Sequence, residues 1–121
     1  MAVACLLGCK KENQASQQTA GLHDPLLKQQ LTTMIASLDD NNVKAADQAE
    51  KDLQAVLSVN RDKFSKEQKD KLFAAMGILS QSTVDYYVAE TNHAADPKKP
   101  EPKLEKISEA KTDLSELAAS L

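Results

Sequence analysis

The sequence predicts an all-α fold: an antiparallel, up-down-up-down four-helix bundle behind a disordered N-terminal tether. Three observations lead there. Four stretches repeat apolar residues every three or four positions, which is the period of a helix with one buried side. Aromatic residues make up only 3% of the chain, so a core has to be built from Leu, Ile, Val, Met and Ala, and such a core suits helix-on-helix packing. Three Gly and four Pro are few for a protein made of strands and tight turns. The 121 residues fit one domain, and 41% hydrophobic with 27% charged residues is a globular composition.

The first helix is expected over about 25–38. Asp24 is an N-cap acid and Pro25 fits the first helical turn. Leu27, Leu31, Met34 and Leu38 then recur at spacings of four, three and four, and Ile35 widens the stripe. Residues 39–42, Asp-Asp-Asn-Asn, end this helix and cap the next. The second is expected over 43–59, with Ala46, Ala49, Leu53 and Val56 on one face and Leu57 beside them. Its alanines permit close approach of a neighbouring helix.

The third helix, 66–91, opens on Ser65-Lys66-Glu67-Gln68, a capping-box pattern. Leu72, Met76, Leu79, Thr83 and Tyr86 carry its period, flanked by Phe73 and Tyr87. Gly77 and the polar run 80–83 weaken its middle, where a bend is expected. The linker "NHAADPKKPEPK" follows, and its prolines exclude regular structure until Pro102, which can start the last helix over 102–120. Leu104, Ile107, Leu114, Ala118 and Leu121 share a face there, with Leu117 adjacent. Lys111 interrupts the row, and its stem can snorkel. Short first and second links favour antiparallel neighbours. The longer third link leaves room for the last helix to cross over or dock on a second copy. A three-helix bundle with a loose C-terminal helix is the alternative.

Composition and motifs narrow the function. The net charge is −3, and no segment holds the basic excess that phosphate backbones require, so nucleic acid is not an expected partner. His23 and His93 both fall in predicted connections, where a histidine is ordinarily solvated. Met34 and Met76 face inward without a helical His partner, which makes them core residues and not haem ligands. Glu90-Thr91-Asn92-His93 is a single Glu-x-x-His, too few ligands for a di-metal bundle. Residues 39–50 match a calcium loop at Asp39, Asn41 and Glu50 but place Val43 and Lys44 where an oxygen ligand and glycine are needed. No catalytic set, metal or cofactor is expected, and binding is favoured over catalysis.

Tyr86 and Tyr87 form the one aromatic pair and are the candidate contact for a protein partner. Against this stands packing: Tyr86 inward, Tyr87 over the bundle edge. Lys63, Lys66, Lys69 and Lys71 make a basic patch interleaved with Glu67 and Asp70, which reads as an ion-paired, solvated face before an acidic-partner site. A rival class is a carrier of a small apolar ligand, with Ala46, Ala49 and Ala118 leaving room for it.

The N-terminal stretch "ACLLGCKKEN" turns from apolar to polar at Cys9. It is far shorter than the about 20 apolar residues of a membrane span. Leu6-Leu7-Gly8-Cys9 resembles the lipobox of bacterial lipoproteins, a likeness that covers four residues. The resemblance implies that residues 1–9 are the remnant of a signal peptide and that Cys9 is the lipidated first mature residue. It implies a membrane contact through that anchor and a place in the cell envelope. Lys10 follows the Cys where enterobacterial members with Asp would differ, which favours the outer membrane, facing the periplasm or the surface; without lipid the protein would be secreted. Residues 10–23, rich in Gln, Lys, Ser and Ala, are expected to be a flexible tether, and 24–121 the bundle. Small helical lipoproteins of this kind serve as adaptors, assembly factors or surface antigens.

Overall fold

The computed structural model describes residues 21–121; residues 1–20, and with them Cys9, lie outside the described residues. Among the described residues there are four α-helices and no strand: α1 (Pro25–Ser37), α2 (Val43–Asn60), α3 (Lys66–Ala95) and α4 (Ile107–Ala119). Each of the first three begins where a side chain satisfies the otherwise unpaired N–H groups of a helix start. Asp24 is extended and its carboxylate accepts from the N–H of Leu26 and Leu27, ahead of Pro25. The Asn42 side chain accepts from Ala45 N–H. Ser65 Oγ accepts from Gln68 N–H while Gln68 Oε1 accepts from Ser65 N–H, a complete capping box.

Two boundaries differ from the sequence expectation. The third helix runs on to Ala95 instead of ending at 91. Nothing before Pro97 breaks it, and the residue before a proline is driven out of the α region, so Asp96 becomes the extended C-cap. It is also one unbroken helix through Gly77, and the polar residues that follow are bonded: Thr83 Oγ1 donates to Ser80 C=O, and Ser82 Oγ donates to Glu105 C=O. The last helix begins at Ile107, not at 102. Leu104 is drawn into the core and its N–H bonds Asp40 C=O at 2.7 Å, which holds the chain out of helical register. Lys106 then turns into α4 with φ of 64°, a left-handed conformation that disfavours any residue with a Cβ.

The helices pack as three close pairs: α3 with α4 most extensively, α2 on α3, and α1 on α4. Although joined by a short link, α1 and α2 are not among the close pairs. Asp24 N–H donates to Leu121 C=O at 3.1 Å, which sets the start of α1 against the end of α4. At the other end, Lys111 Nζ reaches Leu38 C=O at 3.1 Å and satisfies a carbonyl left open as α1 stops. Early α3 meets late α4 through Lys71, which pairs with Glu116 and stands 4.0 Å from Asp113.

A single cluster holds Leu31, Leu53, Leu79 and Leu114, one from each helix and none with exposed surface. Leu38, Leu72, Leu104 and Leu117 are buried with them. Burying each such side chain contributes about 1.5–3 kcal/mol before entropy is counted. The C-terminal helix is therefore integral to the core, not a loose appendage.

Within the stretch 10–23 expected to be tether, the described residues Gly21 and Leu22 are held against the bundle. Leu22 packs on the core, and its backbone is gripped by the buried Gln68 side chain. Gln68 Oε1 accepts from Leu22 N–H at 2.8 Å, and Gln68 Nε2 donates to Leu22 C=O at 2.9 Å and to Ser120 Oγ at 3.0 Å. Gly21 sits against that amide with φ of 72°; a Cβ there would fall 2.5 Å from Gln68 Oε1, so only glycine fits.

Candidate functional site

Six large hydrophobic side chains stand exposed among the described residues, and four of them, Phe73, Val84, Tyr87 and Val88, are on α3. The inward face of α3 presents Leu72, Ala75 and Leu79. Phe73 and Val84 are eleven residues apart, about three helical turns, and Val88 lies one turn further, so they line the opposite side as one stripe. Gly77 lies between them, and beyond its chain neighbours and the helix's own backbone a Cβ there would meet nothing within 4 Å. A depression of about 410 Å³ runs beside this stripe, bordered by Phe73, Gly77, Ile78, Ser82 and Lys106.

At the far end of the stripe the tyrosines divide the work. Tyr86 is half-buried and packs on the core. Tyr87 keeps 43% of its surface exposed, and its hydroxyl donates to Asp47 Oδ2 at 2.8 Å, joining late α3 to early α2. The two rings meet edge-on, with centroids 5.9 Å apart and planes at 85°. The hydrogen bond to Asp47 holds the Tyr87 phenol above its ordinary ionisation range, helped by partial desolvation and by the Asp47 charge.

A raised folded-state pKa means that this link is fully present below the ordinary tyrosine range and is lost as pH rises through the higher folded value. Asp47→Asn is therefore expected to lower the Tyr87 titration midpoint, read by NMR at the ring carbons. An unchanged midpoint would show that the carboxylate does not set it. This geometry makes Tyr87 a fixed hydrogen-bond donor that keeps 43% of its surface exposed.

The remaining residues singled out from the sequence are dispersed. His23 precedes α1 and borders a depression with Ser65, Gln68 and Lys71. His93 lies within the last turn of α3, not in a connection, because the helix is longer than expected; its Nδ1 donates to Lys99 C=O at 2.8 Å and straps the Pro-rich link. Met34 is buried and Met76 half-buried in the core. Ala46, Ala49 and Ala118 belong to the packed core cluster. Ala49 borders a groove of about 500 Å³ between α1 and α2, shared with Met34, Ala45 and Gln48.

In the basic patch, Lys66 pairs with Asp70 at 2.9 Å and Lys71 with Glu116, and the hydrogen bonds in those pairs raise both lysine pKa values. Arg61, Lys63 and Lys69 make no ion pair among the described residues. Also among the described residues, no three His, Cys, Asp or Glu side chains gather as a metal site, and no helix is long and apolar enough to cross a membrane.

No family model, curated protein or solved structure matches this chain. Its site is thus defined by its own geometry. The reading from sequence pointed at Tyr86 and Tyr87 and passed over Val84 and Val88. Their signal was present, since both fall opposite the Leu72–Leu79 face once α3 is drawn at 100° per residue.

Proposed function

We propose that this chain is a small cell-envelope lipoprotein, anchored through Cys9, whose bundle is an antiparallel up-down-up-down module that captures a protein partner. In this reading residues 10–20 are the flexible part of the tether, and the protein binds without catalysing. The carrying observation is the exposed stripe on α3, Phe73, Val84, Tyr87 and Val88, next to a polar anchor at Asp47. A monomer exposes scattered apolar residues freely, but an aligned row on one helix suits a partner helix or strand. Tyr87 contributes contact area at little entropic cost because Asp47 already holds it. The envelope assignment rests on the lipobox resemblance at Leu6-Leu7-Gly8-Cys9.

The test is capture from the host's envelope fraction by the native chain and by a Tyr87→Ala/Val88→Ala variant. The fold should survive with a loss of no more than about 1.5 kcal/mol for the Tyr87–Asp47 bond, while partner recovery falls about tenfold. Asp47→Asn, which keeps both side chains of the stripe, is the control for that loss. Equal recovery removes α3 as the contact. A diacylglyceryl mass on Cys9 of protein from its source is the matching test of the anchor.

A second reading, carriage of a small apolar ligand, is favoured by the opening between α1 and α2. There the groove at Met34 and Ala49 meets a second of about 350 Å³ at Leu27, Ala55 and Val56, with Gln30 and Asp52 common to both. Native mass spectrometry separates the two readings. A retained small molecule supports carriage, and bare protein supports the adaptor.

A further inference from the structure

We infer that the pole of the bundle from which the tether leaves is a docking face for an anionic membrane surface. The inference rests on the anchoring proposed above for the direction of the tether, and on the described residues for everything else. The two most exposed large hydrophobic residues are Leu26 and Val59, at 78% and 73%. One is in the first turn of α1 and the other in the last turn of α2, and both border the same groove with Asp24 and Asn60. They stand at the pole where α3 begins, whereas Tyr87 and Val88 lie about 30 Å further along that helix.

Arg61 and Lys63 follow directly in the α2–α3 link, and Lys66 and Lys69 border a depression there with Asp62 and Phe64. Residues 61–71 hold five cations and three acids, whereas the rest of the described chain holds eight cations and fourteen acids. This corner carries a net charge of +2 on an acidic body; residues 98–106 at the opposite pole carry the same excess, four cations and two acids, but with no exposed large hydrophobic side chain among them. Of its cations, only Lys66 and Lys71 are ion-paired among the described residues.

The same pole holds the exit of the chain. Gly21 lies against Gln68, and Leu22 is bonded to it, at the start of α3. From Cys9 to Gly21 there are twelve residues, a span of at most about 40 Å. A lipid on Cys9 would hold this pole within about 40 Å of the headgroups, and the apolar and basic groups gathered on it select it as the face that docks. Leu26 and Val59 then enter the interface while Arg61, Lys63 and Lys69 meet lipid phosphates, the pairing of apolar and basic groups that interfacial proteins use. Docking in this way points Tyr87 and the Pro-rich link away from the membrane, toward a partner.

The test uses the full chain carrying Cys9→Ser, so that no acyl chain contributes. Its partition onto vesicles of phosphatidylglycerol with phosphatidylcholine is compared with partition onto phosphatidylcholine alone. We expect preference for the anionic vesicles and a loss of about fivefold for each of Lys63→Gln and Lys69→Gln. Leu26→Ser with Val59→Ser should cost about tenfold or more, and Lys98→Gln with Lys99→Gln at the opposite pole should change nothing. Undiminished partition of the base variants, or an equal loss in the opposite-pole control, overturns the inference. So does a dimer of the parent chain that the Leu26 and Val59 substitutions abolish, which would assign the face to a second copy. The two proposals fail separately: native protein without lipid on Cys9 removes the anchor, while loss of vesicle binding in the base variants still upholds the face.

Discussion

Gln68→Leu is expected to destabilise the folded chain by about 2–4 kcal/mol in denaturant unfolding. Leucine has similar bulk but none of the hydrogen-bonding capacity. The native amide is buried and fully used: Oε1 accepts from Leu22 and Ser65 N–H, and Nε2 donates to Leu22 C=O and Ser120 Oγ. Substitution leaves these groups partly buried without partners, and the cost of an orphaned polar group exceeds the net gain of the bond it lost. The loss should be local first. Hydrogen exchange at the Leu22 amide should accelerate by more than global unfolding accounts for, while the amide of Leu79 follows global stability. A melting profile identical to the parent would mean that water replaces the amide at no cost, and would remove Gln68 as the clamp.

Leu114→Ala is expected to cost about 3–5 kcal/mol. Leu114 lies on α4 in the cluster with Leu31, Leu53 and Leu79, and it has no exposed surface. Truncation loses the transfer energy of the deleted carbons and leaves a cavity that three neighbouring helices cannot all close at once. For a domain of this size each kcal/mol lowers the melting midpoint by about 4–8 °C. Lys111→Ala on the same helix is the contrast. It removes one hydrogen bond to Leu38 C=O and should cost no more than about 1.5 kcal/mol. A Leu114 effect as small as that of Lys111 would show that α4 docks only loosely.

The leucine periodicities were legible because burial alone dictates them. Leu27, Leu31 and Met34, then Ala46, Ala49, Leu53 and Val56, face the core as their spacing requires. The caps at Asp24, Asn42 and Ser65 were legible for the same reason, since each acts within its own turn. What escaped was long-range. Gln68 read as one half of a capping box, and nothing local announced that its amide also holds Leu22, forty-six residues earlier. Pro102 looked like a helix start because prolines tolerate that position. The start lies instead at Ile107, where Leu104 has bonded Asp40 across the fold. The candidate site was half legible: an aromatic pair is visible in a string of letters, but the Asp47 that fixes Tyr87 is forty residues away.

The grip of Gln68 on Leu22 has a mechanical consequence. Gln68 and Tyr87 belong to the same helix, about 30 Å apart along its axis. Tension applied between Leu22 and the Tyr87 end of the helix enters α3 directly, through two hydrogen bonds on one amide, and travels along a single rod. The leucine layers need not transmit it. Pulling on Leu22 would therefore load that pair first, and its release would free the chain ahead of Asp24 before any helix is peeled from the others.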